Sequence, residues 1–144
     1  VFQSSQMSTV AIMEVEAEAV SRYGVIQGKS LGNGEWQVDG LVEKPKPQEA
    51  PSRMALPGRY ILTPEIFEYL RQTKPGRNGE IQLTDALDQL ARSQGMRALE
   101  FEGHRYDCGD RVGYLDATLA AAAKRPELRE ALQRLLVKYS AALR

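Results

Sequence analysis

The spacing of hydrophobic and polar positions along this 144-residue chain alternates between the two-residue period of strands and the 3.6-residue period of helices. An apolar run at residues 8 to 15 predicts a buried sheet strand. Two β-rich segments, residues 22 to 29 and 35 to 43, predict an antiparallel hairpin, because Gly-Asn-Gly between them supplies the positive φ of a tight turn. A proline-rich surface loop is predicted over residues 46 to 56.

A short strand in "PGRYILT" is predicted to run directly into a helix. Thr63 is expected to cap this helix, and Pro64 to occupy its first position, because proline lacks only an amide that would be unsatisfied there. Ile66, Phe67 and Leu70 are expected to form its buried face.

The loop "KPGRNGE" separates this helix from another predicted helix. Leu83, Leu87, Leu90 and Ala91 form its apolar stripe, and Gly95 predicts its end. The segment "MRALEFEG" alternates well enough to predict a strand.

The C-terminal part of the chain is predicted to be helical. Asp110 can cap a helix that contains Val112, Leu115 and Leu119, and Pro126 opens a last helix. The last helix has a broad apolar stripe formed by Leu128, Leu132, Leu135, Leu136, Tyr139 and Leu143. The order of elements predicts an α/β fold with a β-hairpin and a C-terminal helical tail.

Charge and cysteine content narrow the possible partners. The chain has 19 acidic and 19 basic side chains without a basic cluster, which argues against a nucleic acid partner and favours a small molecule or a protein. A single cysteine excludes an internal disulfide and a cysteine-rich metal site. The single cysteine fits a reducing cytoplasm, so we expect a cytoplasmic protein. No apolar run approaches the ~20 residues of a membrane span, so we expect no membrane partner. Because an apolar strand follows closely after Val1, we expect the chain to be the later part of a longer one.

Glu43 and Lys44 follow each other at the predicted end of a hairpin strand, the position where open α/β sheets usually contact ligands. Pro45 and Pro47 stop the strand, and a turn there can bring both charged groups to one cavity. A carboxylate accepts hydrogen bonds from a vicinal diol, and an ammonium neutralises phosphate, so the pair suits a sugar phosphate. A solvated ion pair at a loop edge is the alternative.

The turn "YDCGD" holds further polar candidates. Asp107 and Asp110 could hold a Mg²⁺ that also binds phosphate; alternatively Asp110 is a helix cap and Asp107 a turn residue bonded to its own backbone. Cys108 has no nearby base and is expected to be a small packed side chain. His104, the single imidazole, is expected at the surface.

Glycines in the β segments give weaker signals. Gly24 and Gly58 could allow close backbone approach to a ligand, or each could mark a bulge. Tyr60 could belong to the core or lie against a sugar ring.

Five motifs occur in a specific order: "SRYGVI", "GLVEKPKP" with a following "APS", "GRYILTPEIF", "GEIQLTDAL", and "YDCGD" with a following "GYL". From Ser8 to Leu119 the set closely resembles the C-terminal half of bacterial UTP–glucose-1-phosphate uridylyltransferases, also called UDP-glucose pyrophosphorylases. The resemblance implies the C-terminal portion of a Rossmann-like nucleotidyltransferase mixed sheet. It also implies the conversion of UTP and glucose 1-phosphate to UDP-glucose and pyrophosphate.

The resemblance assigns roles residue by residue. Glu43 would hold glucose hydroxyls, and Lys44, the catalytic candidate, would contact and orient the sugar-linked phosphate. Gly24 and Gly58 would line the sugar pocket with their backbones, with Tyr60 against the sugar.

Asp107 would help to bind the Mg²⁺ cofactor that the resemblance implies. Residues 1–124 would form the sugar-phosphate-binding half of the domain, and residues 125–144 a helix for packing or oligomerisation, with a homo-oligomer expected for the full-length parent. The glycine-rich triphosphate loop of the family and its other Mg²⁺-binding Asp do not appear here. We therefore expect no activity from this chain alone.

Two alternatives remain at this point. A glucose-1-phosphate thymidylyltransferase shares the same sugar-side residues, although "EIQLTDAL" and "EKPKP" favour the uridylyl enzyme. A non-catalytic assembly module of the same fold would use the leucine stripe of the last helix for association.

Overall fold

The computed structural model describes residues 1–76 and 79–143. The chain divides into two compact units, Val1–Glu102 and Gly103–Arg144. The expected division into a sugar-phosphate-binding part, residues 1–124, and a packing or oligomerisation helix, residues 125–144, is a division by function and stays a prediction. Among the described residues, none of the helices combines the length and the apolar character that crossing a membrane requires.

The first unit is built around a six-stranded mixed sheet with the order β4-β2-β3-β6-β1-β5. Neighbouring strands run antiparallel except β1 and β6, which are parallel, and β4 also pairs with β1. This mixed sheet confirms the predicted α/β class. The strands are β1 (Thr9–Glu14), β2 (Gly24–Gly32), β3 (Glu35–Glu43), β4 (Met54–Ala55), β5 (Tyr60–Ile61) and β6 (Met96–Glu100).

Strands β2 and β3 form the predicted hairpin. The turn residues Gly32, Asn33 and Gly34 have φ angles of 90°, 51° and 73°, as a tight turn between twisted strands requires. The register pairs Gly24 with Glu43, so the beginning of β2 lies beside the end of β3.

The segment predicted as an irregular loop contains a 3₁₀ turn at Pro47–Glu49 and the short strand β4. Two further elements were not predicted, namely the four-residue helix α1 (Phe2–Ser5) and a 3₁₀ helix at Ala17–Arg22. All four are short, so the sequence carries too few positions to reveal a period.

Helix α2 (Ile66–Gln72) begins later than predicted. Thr63 does not cap it, because the Thr63 hydroxyl lies 3.2 Å from the Ser8 hydroxyl, and Glu65 occupies the cap position. Ile66 is buried, but Phe67 is 62% exposed, so its predicted burial was wrong. Consecutive residues of a helix lie about 100° apart around its axis, so Ile66 can face the core while Phe67 turns to solvent.

Helix α3 (Leu83–Gln94) follows its prediction closely. Gly95, with φ of 76°, ends it, and its apolar stripe packs on the sheet. The core lies between the sheet and helices α2 and α3. Its buried members include Val10, Ile12, Ile26, Val38, Leu41, Ile66, Ala86, Leu87, Leu90, Met96 and Ala98.

The second unit consists of α4 (Arg111–Ala123), a 3₁₀ turn at Pro126–Leu128, α5 (Arg129–Ser140) and a terminal 3₁₀ turn at Ala141–Leu143. Pro126 therefore opens the last helical segment through a 3₁₀ turn. No residue of α4 or α5 is buried. The predicted apolar stripe is present on α5 but largely exposed, and the side chain of Leu143 lies outside the described part of the chain.

Candidate functional site

The chain turns sharply where β3 ends. Lys44 has φ of 43°, a left-handed conformation that is strained for a residue with a side chain, and its amide donates to the Tyr23 carbonyl at 3.0 Å. The Lys44 ammonium nitrogen lies 3.6 Å from Glu43 Oε1. Adjacent strand residues normally point to opposite faces, so this strained turn is what lets the two charged groups meet.

The Glu43 carboxylate is held from helix α3. The Thr84 hydroxyl donates to Glu43 Oε2 at 2.5 Å, and the Glu43 side chain is 22% exposed. A Cβ on Gly24 would lie 3.0 Å from the Thr84 hydroxyl and 3.1 Å from Glu43 Oε2. Gly24 therefore leaves the room that this hydrogen bond occupies.

A cleft of about 520 Å³ opens beside this pair. Its lining includes Glu43, Lys44, Lys46, Gln82 and Asp85. Carboxylates can accept hydrogen bonds from hydroxyl groups, and ammonium groups can neutralise an anion. The cleft thus offers both kinds of contact that a phosphorylated polyol needs.

Asp85 lies in the first turn of α3, and its side chain is half-buried at this cleft. Burial raises the pKa of its carboxyl above the ordinary value, and the negative charges of Glu43 and Asp88 raise it further. The carboxylates on this side of the cleft therefore repel one another, and a ligand that donates hydrogen bonds would relieve that repulsion.

Tyr60 and Gly58 lie on and before β5. Tyr60 is 37% exposed, which excludes it from the core. Burial raises the pKa of the Tyr60 phenol, and the negative charge of Glu43 raises it further. Gly58 has φ of 91°, and a Cβ there would meet no atom within 4 Å, so its backbone angle rather than packing calls for glycine.

The second unit carries Asp107 in the turn before α4. Asp107 Oδ1 accepts from the Gly109 amide at 3.1 Å, and the Arg105 guanidinium lies 3.4 Å from Asp107 Oδ2. A Cβ on Gly113 would lie 2.0 Å from the Asp107 carbonyl oxygen, so the first turn of α4 must carry glycine there.

Asp110 is the predicted helix cap. Its Oδ1 accepts from the amides of Val112 and Gly113, both at 2.9 Å, which confirms the cap. Cys108 is exposed, so its predicted packing was wrong: the polar groups of its turn bond locally and no core covers the thiol. His104 is exposed, as predicted.

The carboxylate of Asp107 is the kind of oxygen ligand that Mg²⁺ prefers. Within residues 1–76 and 79–143, no group of three or more His, Cys, Asp or Glu side chains is arranged to hold a metal ion. The Asp107 carboxylate could supply one ligand of a metal ion, and the neighbouring Arg105 guanidinium would compete with the metal for it.

Thr84, Asp85 and Asp88 are the contributors that sequence reasoning missed. Thr84 and Asp88 are four positions apart and therefore share one face of α3. Polar residues four positions apart, on a helix whose apolar stripe packs on a sheet, could have indicated hydrogen bonds from this helix to the sheet.

The model of the family described as "Nucleotidyl transferase" matches residues 2–124. The chain belongs to the nucleotidyl transferase family.

Individual relatives indicate a more specific similarity than the family model does. The chain is 45% identical to a UTP–glucose-1-phosphate uridylyltransferase of Streptococcus pyogenes, over 99% of this chain and 47% of that protein. A solved UDP-glucose pyrophosphorylase complexed with UDP-glucose is 52% identical, with a TM-score of 0.81, over 86% of this chain and 47% of that one. The UTP-bound enzyme from Acinetobacter baumannii is 32% identical, with a TM-score of 0.80, over 94% of this chain and 47% of that one. These similarities confirm the resemblance seen in the sequence, and the chain spans about half the length of these relatives.

Proposed function

We propose that this chain forms the sugar-phosphate side of an enzyme that makes UDP-glucose and pyrophosphate from UTP and glucose 1-phosphate. The observation that carries the proposal is the meeting of the Glu43 carboxylate and the Lys44 ammonium, 3.6 Å apart, at the edge of one cleft. The names of the relatives and the solved complex of one relative with UDP-glucose support the same substrates.

Each candidate residue has a proposed part in binding, although only Glu43 and Lys44 of this set line the cleft itself. Glu43 accepts hydrogen bonds from glucose hydroxyls, while Thr84 keeps its carboxylate oriented. Gly24 lines the sugar pocket with its backbone, as does Gly58, and Tyr60 lies against the sugar. Because Glu43 and its neighbours are positioned before the ligand arrives, little ordering cost remains for binding.

Lys44 acts on the reacting phosphate. A phosphate oxygen of glucose 1-phosphate attacks the α-phosphorus of UTP, a new P–O bond forms, and pyrophosphate leaves as the old P–O bond breaks. The enzyme forms no covalent bond with either substrate. Lys44 neutralises and orients the attacking phosphate, so catalysis rests on positioning and charge compensation.

Asp107 is the proposed magnesium ligand of this chain. When bound, Mg²⁺ offsets the negative charge gathered on the phosphate groups. Asp107 contributes one carboxylate, which the Gly109 amide holds in the turn before α4. A cytoplasmic location, a role in carbohydrate metabolism and homo-oligomeric assembly of the full-length enzyme stay predictions.

The exposed stripe of α5 favours a second candidate function, association between chains. Leu135 and Leu136 are both half-exposed on this helix. Sedimentation of a form that ends near Lys124 tests this function. A smaller assembly than that of the full chain would support it, and an unchanged one would exclude α5 as the interface.

Pyrophosphate release by the full-length enzyme that contains this chain tests the main proposal. We expect Glu43→Ala and Lys44→Ala each to lower kcat/KM by about 100-fold or more, because each removes a charged group from the reacting complex. Glu68→Ala and Lys29→Ala, at exposed positions, are the matched controls and should leave the rate unchanged. Near-parental activity of both site variants would refute the assigned roles.

Nucleotide choice needs a separate arm of the same assay. Competition between UTP and dTTP on the full-length enzyme distinguishes the uridylyl from the thymidylyl reaction. The 144-residue chain on its own should release no pyrophosphate.

A further inference from the structure

Strand β3 loses one of its two neighbours before it ends. Its pairing with β6 extends only from Glu35 to Val38, whereas its pairing with β2 continues to Glu43. The last residues of β3, which lead to Glu43 and Lys44, therefore have a strand on one side only.

A side chain takes the place of the missing strand. The Leu41 amide donates to Asp88 Oδ1 at 2.8 Å, across 47 residues of sequence. A backbone amide at this depth needs a partner, because Leu41 itself is buried. Asp88, on helix α3, thus gives β3 the acceptor that β6 no longer supplies.

Asp88 is itself held on both oxygens. Its Oδ2 accepts from Arg92 Nε at 2.9 Å, and this hydrogen bond, followed by the charge of Asp88, raises the pKa of Arg92. A Cβ on Gly40 would lie 2.8 Å from Arg92 Nη2 and 3.0 Å from Asp88 Oδ1. Gly40, Leu41, Asp88 and Arg92 therefore form one interlocked contact, which we call the β3 clamp.

The clamp and the cleft share helix α3. Thr84, one helical turn before Asp88, bonds to the Glu43 carboxylate, while Asp88 bonds to the backbone two residues before Glu43. The same helix face therefore fixes both the side chain of Glu43 and the strand that carries it. A displacement of this strand would move Glu43 and Lys44 together.

We propose that Asp88 is a positioning residue, which replaces the missing strand neighbour of β3 and thereby sets the reach of Glu43 and Lys44 toward the sugar phosphate. This inference rests on the proposed function of that pair. Asp88 does not line the cleft, so its effect on the pair passes through the Leu41 amide.

The test compares the two Michaelis constants of the full-length enzyme. Asp88→Ala should raise KM for glucose 1-phosphate by about tenfold or more, because small displacements of binding groups are costly. KM for UTP should stay unchanged. Asp88→Asn keeps an acceptor oxygen for the Leu41 amide and should recover most of the loss. Glu68→Ala, an exposed acid on α2, is the control and should alter neither constant.

A second variant covers the case in which Asp88→Ala does not fold. Gly40→Ala keeps the Asp88 side chain but brings the new Cβ to 2.8 Å from Arg92 Nη2 and 3.0 Å from Asp88 Oδ1. It should displace the β3 clamp and raise the same KM selectively. Equal changes in both Michaelis constants, or no change in a folded Asp88→Ala variant, would overturn the positioning role. So would an Asp88→Asn variant as impaired as Asp88→Ala, because charge pairing with Arg92 would then explain the effect. An inactive parent enzyme would instead refute the proposed function, so the two failures are distinguishable.

Discussion

The two units hold their candidate site residues in different ways. In Val1–Glu102, the Glu43 carboxylate accepts a hydrogen bond from Thr84, 41 positions away in sequence. The strand that carries Glu43 is bonded through the Leu41 amide to Asp88, 47 positions away. In Gly103–Arg144, the carboxylates of Asp107 and Asp110 bond to amides only two or three positions away.

The candidate residues of the first unit are therefore positioned by tertiary packing, whereas those of the second unit are positioned by local turn geometry. Glu43 and Lys44 depend on the packing of α3 against β3 and therefore on the core of the first unit. Asp107 depends on its own turn, and the helices that follow it bury no side chain. Substitutions in the two units should consequently differ in their cost.

The largest expected difference concerns apolar side chains. Leu87→Ala removes a fully buried side chain and should lower the free energy of unfolding by about 2–5 kcal/mol. Leu136→Ala, at a side chain that is 50% exposed, should cost less than about 1 kcal/mol. Urea unfolding of the chain measures both. Comparable costs would mean that α5 is as tightly packed as α3.

Gly113 tests the second unit at its tightest point. Gly→Ala normally stabilises a helix interior by about 1 kcal/mol. At Gly113 the sign should reverse, with a cost of about 1–3 kcal/mol, because the new Cβ would lie against the Asp107 carbonyl. Thr118→Ala, at an exposed site in the same helix, should be nearly neutral. Thermal unfolding followed by circular dichroism distinguishes them, and a stabilised Gly113→Ala variant would contradict the described turn.

Thr84→Val compares a long-range hydrogen bond with a local one. The substitution keeps the shape of the side chain but removes the bond to Glu43, and we expect a loss of about 1–2 kcal/mol in unfolding free energy. Thr9→Val removes a bond to a carbonyl only two residues away and should cost clearly less. Equal losses in denaturant unfolding would show that the Thr84 bond adds nothing to stability beyond a local contact.

The smallest expected effect is the pH dependence at Asp85. Burial and the charges of Glu43 and Asp88 raise the folded-state pKa of Asp85 above its unfolded-state pKa of 3.8. The stabilising contribution of this carboxyl group is therefore complete below pH 3.8 and is lost as pH rises through the folded-state pKa. Asp85→Asn should therefore be more stable than the parent at neutral pH, by less than about 1 kcal/mol because solvent reaches the cleft. The difference should vanish in acid. A variant that is less stable than the parent at pH 7 would contradict this sign.

Local patterns explain what the sequence predicted correctly. The hairpin turn, the stripe and end of α3 and the Asp110 cap all depend on residues within a few positions of one another. Such features need no knowledge of tertiary contacts, and they placed Glu43 and Lys44 at the end of a strand.

The failed and missing predictions share one physical cause. Thr63 does not cap α2 because its hydroxyl lies within bonding distance of Ser8, 55 positions away. Phe67 is exposed because α2 packs on the core through Ile66. Thr84 and Asp88 act on β3 across more than 40 residues of sequence. Contacts at such separations depend on which helix face packs on which strand, a choice that periodicity alone leaves open.

The central claim is that the first unit presents a preformed sugar-phosphate site at the end of β3. Titration of the chain with glucose 1-phosphate, followed by amide NMR shifts, tests it most directly. We predict saturable shifts concentrated at Gly24, Lys44 and Thr84, which disappear in a Glu43→Gln, Lys44→Met double variant and persist in Glu68→Ala. Absence of shifts at these amides, or identical shifts in the double variant, would contradict the account.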